Sequence, residues 1–336
     1  MRAGFLCFVV IGLSANRLPA QQTTLSGPLE AFTFDQPTRS IRAVIGVPGT
    51  ATFGPALVDN LDIASVAPGQ TYGIVFESGK CLLISGLGAK TISTAAIQGV
   101  TRYPDGIAWS TDASLAVVYS RAGNWFQTIA GFPGAPVAGT LVDLSSLGGS
   151  ISAVSADVSG KQVVIGLSGD KGGVYEASGG WVSLLAAMAS PVSLSFSSDG
   201  QTLYALDAAT LQITAITLGS HAIQTLPLAG IQNPVAIRSL QDSQNRSVLY
   251  VAGGTDRILR VLDVASQQTI ADLALNFEPT RIDPLGNNSF VLAPRFEAVK
   301  PLWVLSSTPQ PAAYFVPAIQ TRPPAHRIAS MAGRTR

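Results

Sequence analysis

The stretch Pro191-Val192-Ser193-Leu194-Ser195-Phe196-Ser197-Ser198-Asp199-Gly200-Gln201-Thr202-Leu203-Tyr204-Ala205-Leu206 alternates apolar and polar residues, breaks at Asp199-Gly200, and alternates again. Period-two alternation on both sides of an Asp-Gly turn marks two half-buried antiparallel strands. With Gly200 as register mark, equivalents fall at Gly69, Ala113, Gly160, Ser243 or Gln244, and Gly286. Taking Gln244 for the fifth, successive marks are 44, 47, 40, 44 and 42 residues apart. A unit of that length cannot bury its own apolar face, so its recurrence predicts stacked or radially arrayed units.

The unit around Gly200 contains alternating runs at 192–196, 202–206, 211–218 and 222–226, and the next repeats them at 235–238, 248–252, 257–262 and 269–273. Four short antiparallel strands make one propeller blade. The six units span 59–98, 102–142, 149–188, 189–229, 232–275 and 277–318. Ahead of them, 29–35 and 40–46, joined at Gln36-Pro37, read as the last two strands of another blade. The expected fold is therefore all-β, a β-propeller of four-stranded antiparallel blades, seven before six. The six-bladed rival adds the N-terminal strands to the last blade. Residues 21–58 serve as strand pair and linker closing the ring, because an open array would leave an unpaired edge. The Gly- and Pro-containing stretches 46–60 and 131–139 read as irregular insertions.

Residues 1–20 have the form of a secretory signal: Arg2, an apolar run over 4–13, and Leu18-Pro19-Ala20 before Gln21. The expected location is secreted, periplasmic or cell-surface. No later segment reaches the roughly 18 apolar residues of a membrane helix. Loss of Cys7 with the signal leaves Cys81 alone, in the apolar run Lys80-Cys81-Leu82-Leu83-Ile84, where a buried thiol is expected. Removing Arg2, Arg17, Arg322, Arg327, Arg334 and Arg336 from 21 basic residues leaves 15 against 20 acidic ones. That balance provides no basic footprint for nucleic acid. The tail 320–336, with Pro323-Pro324 and no apolar period, is expected to be disordered and basic.

The phrases Phe196-Ser197-Ser198-Asp199-Gly200-Gln201-Thr202-Leu203-Tyr204 and Val261-Leu262-Asp263-Val264-Ala265-Ser266 resemble the bacterial YVTN and WD40-like propeller repeats. Pro104-Asp105-Gly106-Ile107-Ala108-Trp109-Ser110 is similar to the Pro-Asn-Gly-Ile-Ala phrase of gluconolactonase-like propellers, whose Asn ligates a divalent metal beside the channel. The resemblance implies a ligand role for Asp105, which keeps an oxygen donor at that position. The family's other ligands are not recognisable.

Ligands on propellers meet at one end of the central channel, where loops enter the innermost strands. Ten residues before each mark, with Ser243 for the fifth and the sixth placed by Pro279, stand Asp59, Tyr103, Ser150, Ser190, Asn233 and Glu278. Asp59, Asn233 and Glu278 belong to units near the ring closure, and their oxygens suit Ca²⁺ or another hard cation. The competing reading makes them solvated loop caps. The two histidines, His221 and His326, exclude a multi-histidine zinc site. Trp109, Trp125, Trp181 and Trp303 read as packing between blades. Trp125, after Gly123-Asn124, is the candidate for an exposed sugar-stacking platform. Without a convergent acid, base and nucleophile, the expectation is an exported, monomeric, non-catalytic binding or surface propeller recognising a protein, glycan or small ligand. The alternative is a metal-dependent lactonase-like hydrolase acting on sugar lactones.

Overall fold

Local turn chemistry repeats through the ring. In the computed structural model, which describes residues 27–319 apart from 158, 159, 179, 229 and 287, a turn N–H donates back three residues at Gln70, Ala113, Gly160, Gly200 and Asn245. All five have left-handed φ, between 59° and 71°. Gly160 and Gly200 adopt it freely, whereas Ala113 and Gln70 lack that freedom. In two of these turns a Ser and an Asp fix one another. Ser197 Oγ donates to Asp199 Oδ1 at 2.5 Å and accepts from Thr202 N at 2.9 Å. Ser110, Asp112 and Leu115 repeat the arrangement at 2.7 and 3.0 Å. Hydrogen bonds from Ser197 and Gln201 hold the Asp199 carboxyl below its ordinary pKa.

Seven antiparallel sheets form a closed ring, a seven-bladed propeller. Blade I holds β1 (Leu29–Asp35), β2 (Ser40–Ile45) and β3 (Thr52–Val58). Blade II holds β4 (Ile63–Val66), β5 (Tyr72–Glu77), β6 (Lys80–Ser85) and β7 (Ser93–Ala96). Blade III follows as β8 (Gly106–Trp109), β9 (Leu115–Ser120), β10 (Trp125–Ala130) and β11 (Val137–Asp143), and blade IV as β12 (Gly149–Ala156), β13 (Val163–Gly169), β14 (Gly173–Ser178) and β15 (Trp181–Ala187). Blade V is β16 (Pro191–Phe196), β17 (Thr202–Asp207), β18 (Gln212–Thr217) and β19 (Ala222–Pro227). Blade VI is β20 (Pro234–Gln241), β21 (Ser247–Gly253), β22 (Ile258–Asp263) and β23 (Thr269–Ala274). Blade VII is β24 (Asp283–Gly286), β25 (Ser289–Ala293), β26 (Leu302–Ser306) and β27 (Ala312–Val316). No helix among the described residues is long and apolar enough to cross a membrane. The signal and tail segments lie outside the described residues.

The N-terminal pair differs from its sequence reading. β1 contacts β4 and β24, the first strands of the neighbouring blades, so it is an inner strand and not an outer one. The stretch 46–60 likewise contains β3, which pairs with β2 through two register irregularities. Those irregularities and the Gly54-Pro55 pair hide its alternation. Arg42 compensates by donating to Gly54 O at 3.0 Å. The 131–139 loop is anchored as well: Phe132 stacks on Tyr72 at 5.8 Å and meets Trp109 at 4.9 Å.

Each apolar cluster fills one junction between blades. Ile74, Phe76 and Cys81 of blade II meet Ala116, Val118 and Trp125 of blade III. Leu206 and Ile213 of blade V meet Leu249 and Val251 of blade VI. Ala31 and Val44 of blade I meet Val304 and Tyr314 of blade VII, which completes the circle. A side chain on one strand face thus packs against the preceding blade and its sequence neighbour against the following one, so both faces of each middle strand are apolar. Burial pushes the Cys81 thiol up to about 12, which leaves it an inert core residue.

Candidate functional site

The loops entering the inner strands are tied down by acidic side chains. Asp105, one residue before β8, accepts from Ser120 Oγ at 2.9 Å, Arg121 N at 3.1 Å and Ala122 N at 3.3 Å. Its two oxygens therefore grip the turn between β9 and β10. Blades V and VI invert the arrangement. There Asp207 accepts from Ala189 N and Ser190 N at 3.1 Å, and Asp256 accepts from Gln232 N and Asn233 N at 2.9 and 2.8 Å. Asp207, the last residue of β17, and Asp256, just after β21, hold the entering loop from the other side.

The predicted rim residues each have partners of their own. Asp59 accepts from its neighbour Asn60 at 2.9 Å, Glu278 from Arg257 at 3.1 Å, and Asn233 is held through its backbone. Among the described residues no three His, Cys, Asp or Glu side chains group closely enough to hold a metal. Asp59 is answered within its own loop and Glu278 by Arg257 of the preceding blade, which is how caps behave. Tyr103 instead borders a depression of about 650 Å³ with Gln36, Arg39, Asp62 and Gly79, and makes an edge contact with Phe76 at 5.5 Å.

Trp125 offers no stacking platform. It is 3% exposed and belongs to the junction of blades II and III. Trp181, at the head of outer strand β15, is 83% exposed. Both open a strand after a turn, and the difference lies in strand order: β10 is flanked on both sides in its sheet, β15 on one. A second depression, about 500 Å³, lies between blades VI and VII, where Phe277 stacks on Trp303 at 4.1 Å and Phe315 meets that indole edge-on at 5.5 Å.

A charged group in the centre of the ring escaped the sequence reading. Tyr119 stands on middle strand β9 opposite Gly106 of inner strand β8. A Cβ at Gly106 would lie 2.2 Å from Tyr119 Cζ, so the missing side chain is the opening through which the ring crosses the inner strand. Arg121 donates to Tyr119 Oη at 3.2 Å, and its guanidinium lies 5.1 Å from the ring centroid. Burial pushes the phenol up. Arg121 and Arg281 oppose the shift, and Asp283 and Asp105 reinforce it. Arg281 and Asp283 belong to blade VII, three junctions from blade III by the shorter way round, so their influence reaches Tyr119 across the channel.

Arg238 completes the group from inner strand β20. Its register partner Tyr250 packs toward blade VII, where Asp283 opens β24. Asp283 is paired with Arg281 at 3.2 Å. Among the described residues nothing accepts a hydrogen bond from the Arg238 guanidinium. The side chain is half-buried. Protein nonetheless surrounds it closely, and desolvation draws its pKa down, with Asp283 opposing. A group in a narrow bore has both properties. In the sequence Arg238 is one polar residue in an alternating strand, indistinguishable from a solvent-facing charge. The phrase around Asp105 also contains Gly106, over which the Tyr119 ring lies.

No protein-family model matches the chain, and no curated protein does. The YVTN and gluconolactonase-like resemblances are therefore not supported by a sequence match. Among solved structures, dihydro-heme d1 dehydrogenase NirN in complex with DHE is 13% identical, with 90% of this chain and 76% of that chain covered at a TM-score of 0.54. A nidogen/laminin complex is 14% identical over 73% of this chain and 92% of that one, TM-score 0.48. Hydrazine synthase of Kuenenia stuttgartiensis is 14% identical over 74% and 76%, TM-score 0.49. The likeness to NirN shows the propeller fold and extends to neither ligand nor reaction.

Proposed function

We propose that this is an exported, non-catalytic binding propeller that takes a small ligand into its central channel. One observation carries the reading. Arg238, on inner strand β20, presents a guanidinium without a hydrogen-bond partner among the described residues, and Asp283 acts electrostatically both on it and on Tyr119, whose ring lies over Gly106. A half-buried guanidinium with no protein acceptor keeps its fork of donors open to a bound ligand. The test is a small-molecule capture experiment with ring-labelled tyrosine, followed by NMR. Bound compounds should shift the Tyr119 resonances. If captured compounds leave Tyr119 unmoved, or only macromolecules bind and only at the outer strands, the channel reading fails.

The lactonase-like alternative would require Asp105 to release its loop hydrogen bonds in order to ligate a cation, with Asp59, Asn233 and Glu278 brought in from separate loops. Screening lactones with added Ca²⁺, Mn²⁺ or Zn²⁺ separates the two readings. Metal-dependent turnover that disappears in Asp105→Ala would overturn the non-catalytic reading.

A further inference from the structure

The charges around the channel determine what kind of ligand the site accepts, given that the protein binds a small ligand there at all. Arg121, Arg238 and Arg281 contribute three positive charges, and Asp105 and Asp283 two negative ones. Two of the arginines are answered: Arg281 by Asp283 at 3.2 Å, and Arg121 by Asp105 at 3.8 Å together with the Tyr119 hydroxyl at 3.2 Å. The surplus is one positive charge, and it resides on Arg238. A guanidinium is a planar fork of donors that matches an oxyanion through two parallel hydrogen bonds.

Depth along the channel supports the same assignment. Ser193 Oγ accepts from Ile237 N at 3.1 Å and Ser195 Oγ accepts from Ser239 N at 2.9 Å, so β16 and β20 run parallel in a fixed register. Arg238 lies between those two tied residues, on a strand segment that cannot shift to find another partner. Its position is the fifth of the eight residues of β20, inside the ring and not at its mouth. Arg121 and Arg281 lie just outside strand ends, Arg121 one residue beyond β9 and Arg281 two residues before β24. A ligand entering from that end passes two neutralised pairs before it reaches the one unanswered cation.

We propose that the channel binds a small organic monocarboxylate whose carboxylate pairs with Arg238, with Tyr119 and Arg121 beside the entrance. A single negative charge neutralises the group. A phosphate dianion would overshoot it and press against Asp283 and Asp105, while a cation would meet Arg238 with no carboxylate free of a partner. The body of the ligand faces the neutral hydroxyls and backbone of the inner strands.

The experiment is calorimetric titration of the full-length protein with acetate, lactate, inorganic phosphate, choline and glucose at matched sodium chloride, alongside Arg238→Met and Arg238→Lys. Acetate and lactate should bind the native protein in preference to phosphate. Arg238→Met should lose at least roughly tenfold in carboxylate affinity, the scale of a charged hydrogen bond. Arg238→Lys keeps the charge without the fork and should show a smaller loss. Equal carboxylate binding by Arg238→Met, or tighter binding of phosphate, overturns the proposal. Binding of choline or glucose that shifts Tyr119 while no carboxylate binds overturns it too, but leaves the small-ligand reading standing. If none of the five probes binds, the inference falls, and the wider capture experiment then decides the channel reading by itself.

Discussion

The junction between blades V and VI and the junction between blades VII and I do the same job with different chemistry. At the first, Leu206, Ile213, Leu249 and Val251 form an apolar layer, and Ser193 and Ser195 tie β16 to β20 by bonds that each span 44 residues. At the second, Arg295 reaches Asp35 at 2.8 Å with both side chains no more than 2% exposed. Arg295 also donates to Lys300 O at 2.8 Å and Ala298 O at 2.6 Å, and stacks over Phe53 at 5.1 Å. Nearby, Glu30 accepts from Ser289 Oγ at 3.0 Å and from Tyr314 Oη. A junction inside the array inherits its register from the repeat. The closing junction joins chain regions with no repeat relation between them, so its register rests on groups that match in one position only. Buried ionic groups are suited to that role: they add little net stability when paired, but a misplaced partner is expensive.

The largest test of this contrast is Arg295→Ala, which removes the 2.8 Å partner of buried Asp35 and leaves it only Arg42 at 3.7 Å as a cation. It should cost about 4 kcal/mol in urea unfolding, as broken buried pairs do. A loss below about 1 kcal/mol would show that the pair does not lock the ring. At the internal junction, Leu206→Ala opens a cavity in a fully buried layer and should cost about 3 kcal/mol. A double variant carrying both changes should show additive losses, since the two junctions share no contacts. Ser195→Ala removes only the hydroxyl that accepts from Ser239 N and should cost about 1 kcal/mol. An effect as large as that of Arg295→Ala would mean that the serine ties, and not the apolar layer, hold neighbouring blades.

The smallest effect at neutral pH is expected from Tyr314→Phe, which should become visible in alkali. Burial, and then Glu30, push the Tyr314 phenol up. A phenol raised on folding contributes stability that is fully present below the unfolded value of about 10 and is lost as pH rises from there toward the folded value. Melting temperature should therefore fall more steeply above pH 10 in the native protein than in Tyr314→Phe. Tyr250, pushed up to about 12 at the junction of blades VI and VII, and the other tyrosines raised by burial, Tyr72, Tyr103, Tyr119 and Tyr204, should supply the alkaline loss that remains in the variant. Identical profiles for both proteins would remove Tyr314 from the closing junction's energetics.

Several features were legible because their causes are local. The Ser-x-Asp turn works through hydrogen bonds spanning two to five residues, so Ser110-Thr111-Asp112 and Ser197-Ser198-Asp199 announce it directly. Strand alternation is equally local; Gly54-Pro55 interrupts it in β3, and middle strands such as β9 are buried on both faces. The rim candidates were found by the same register arithmetic. It placed Asp59, Asn233 and Glu278 near loop entries but said nothing of where their side chains point. Arg257 and Asn60 take up two of them, and Asp256 takes the backbone of the third.

The sequence alone determined the all-β class, the repeating unit and the turn chemistry, because each follows from residues within one blade. The spacing of 44 residues even reappears as the cross-blade bonds of Ser193, Ser195 and Ser65, the last accepting from Trp109 Nε1 at 3.0 Å. Tertiary structure decided which end of blade I faces the axis, how Asp35 meets Arg295 across 260 residues, and why Trp125 is buried while Trp181 is exposed. It also decided that Tyr119 crosses at Gly106 and that, of Arg121, Arg238 and Arg281, only Arg238 lacks an answering group among the described residues. Whether a charge is paired depends on what a neighbouring blade presents at the same depth, and that juxtaposition exists only once the ring has closed.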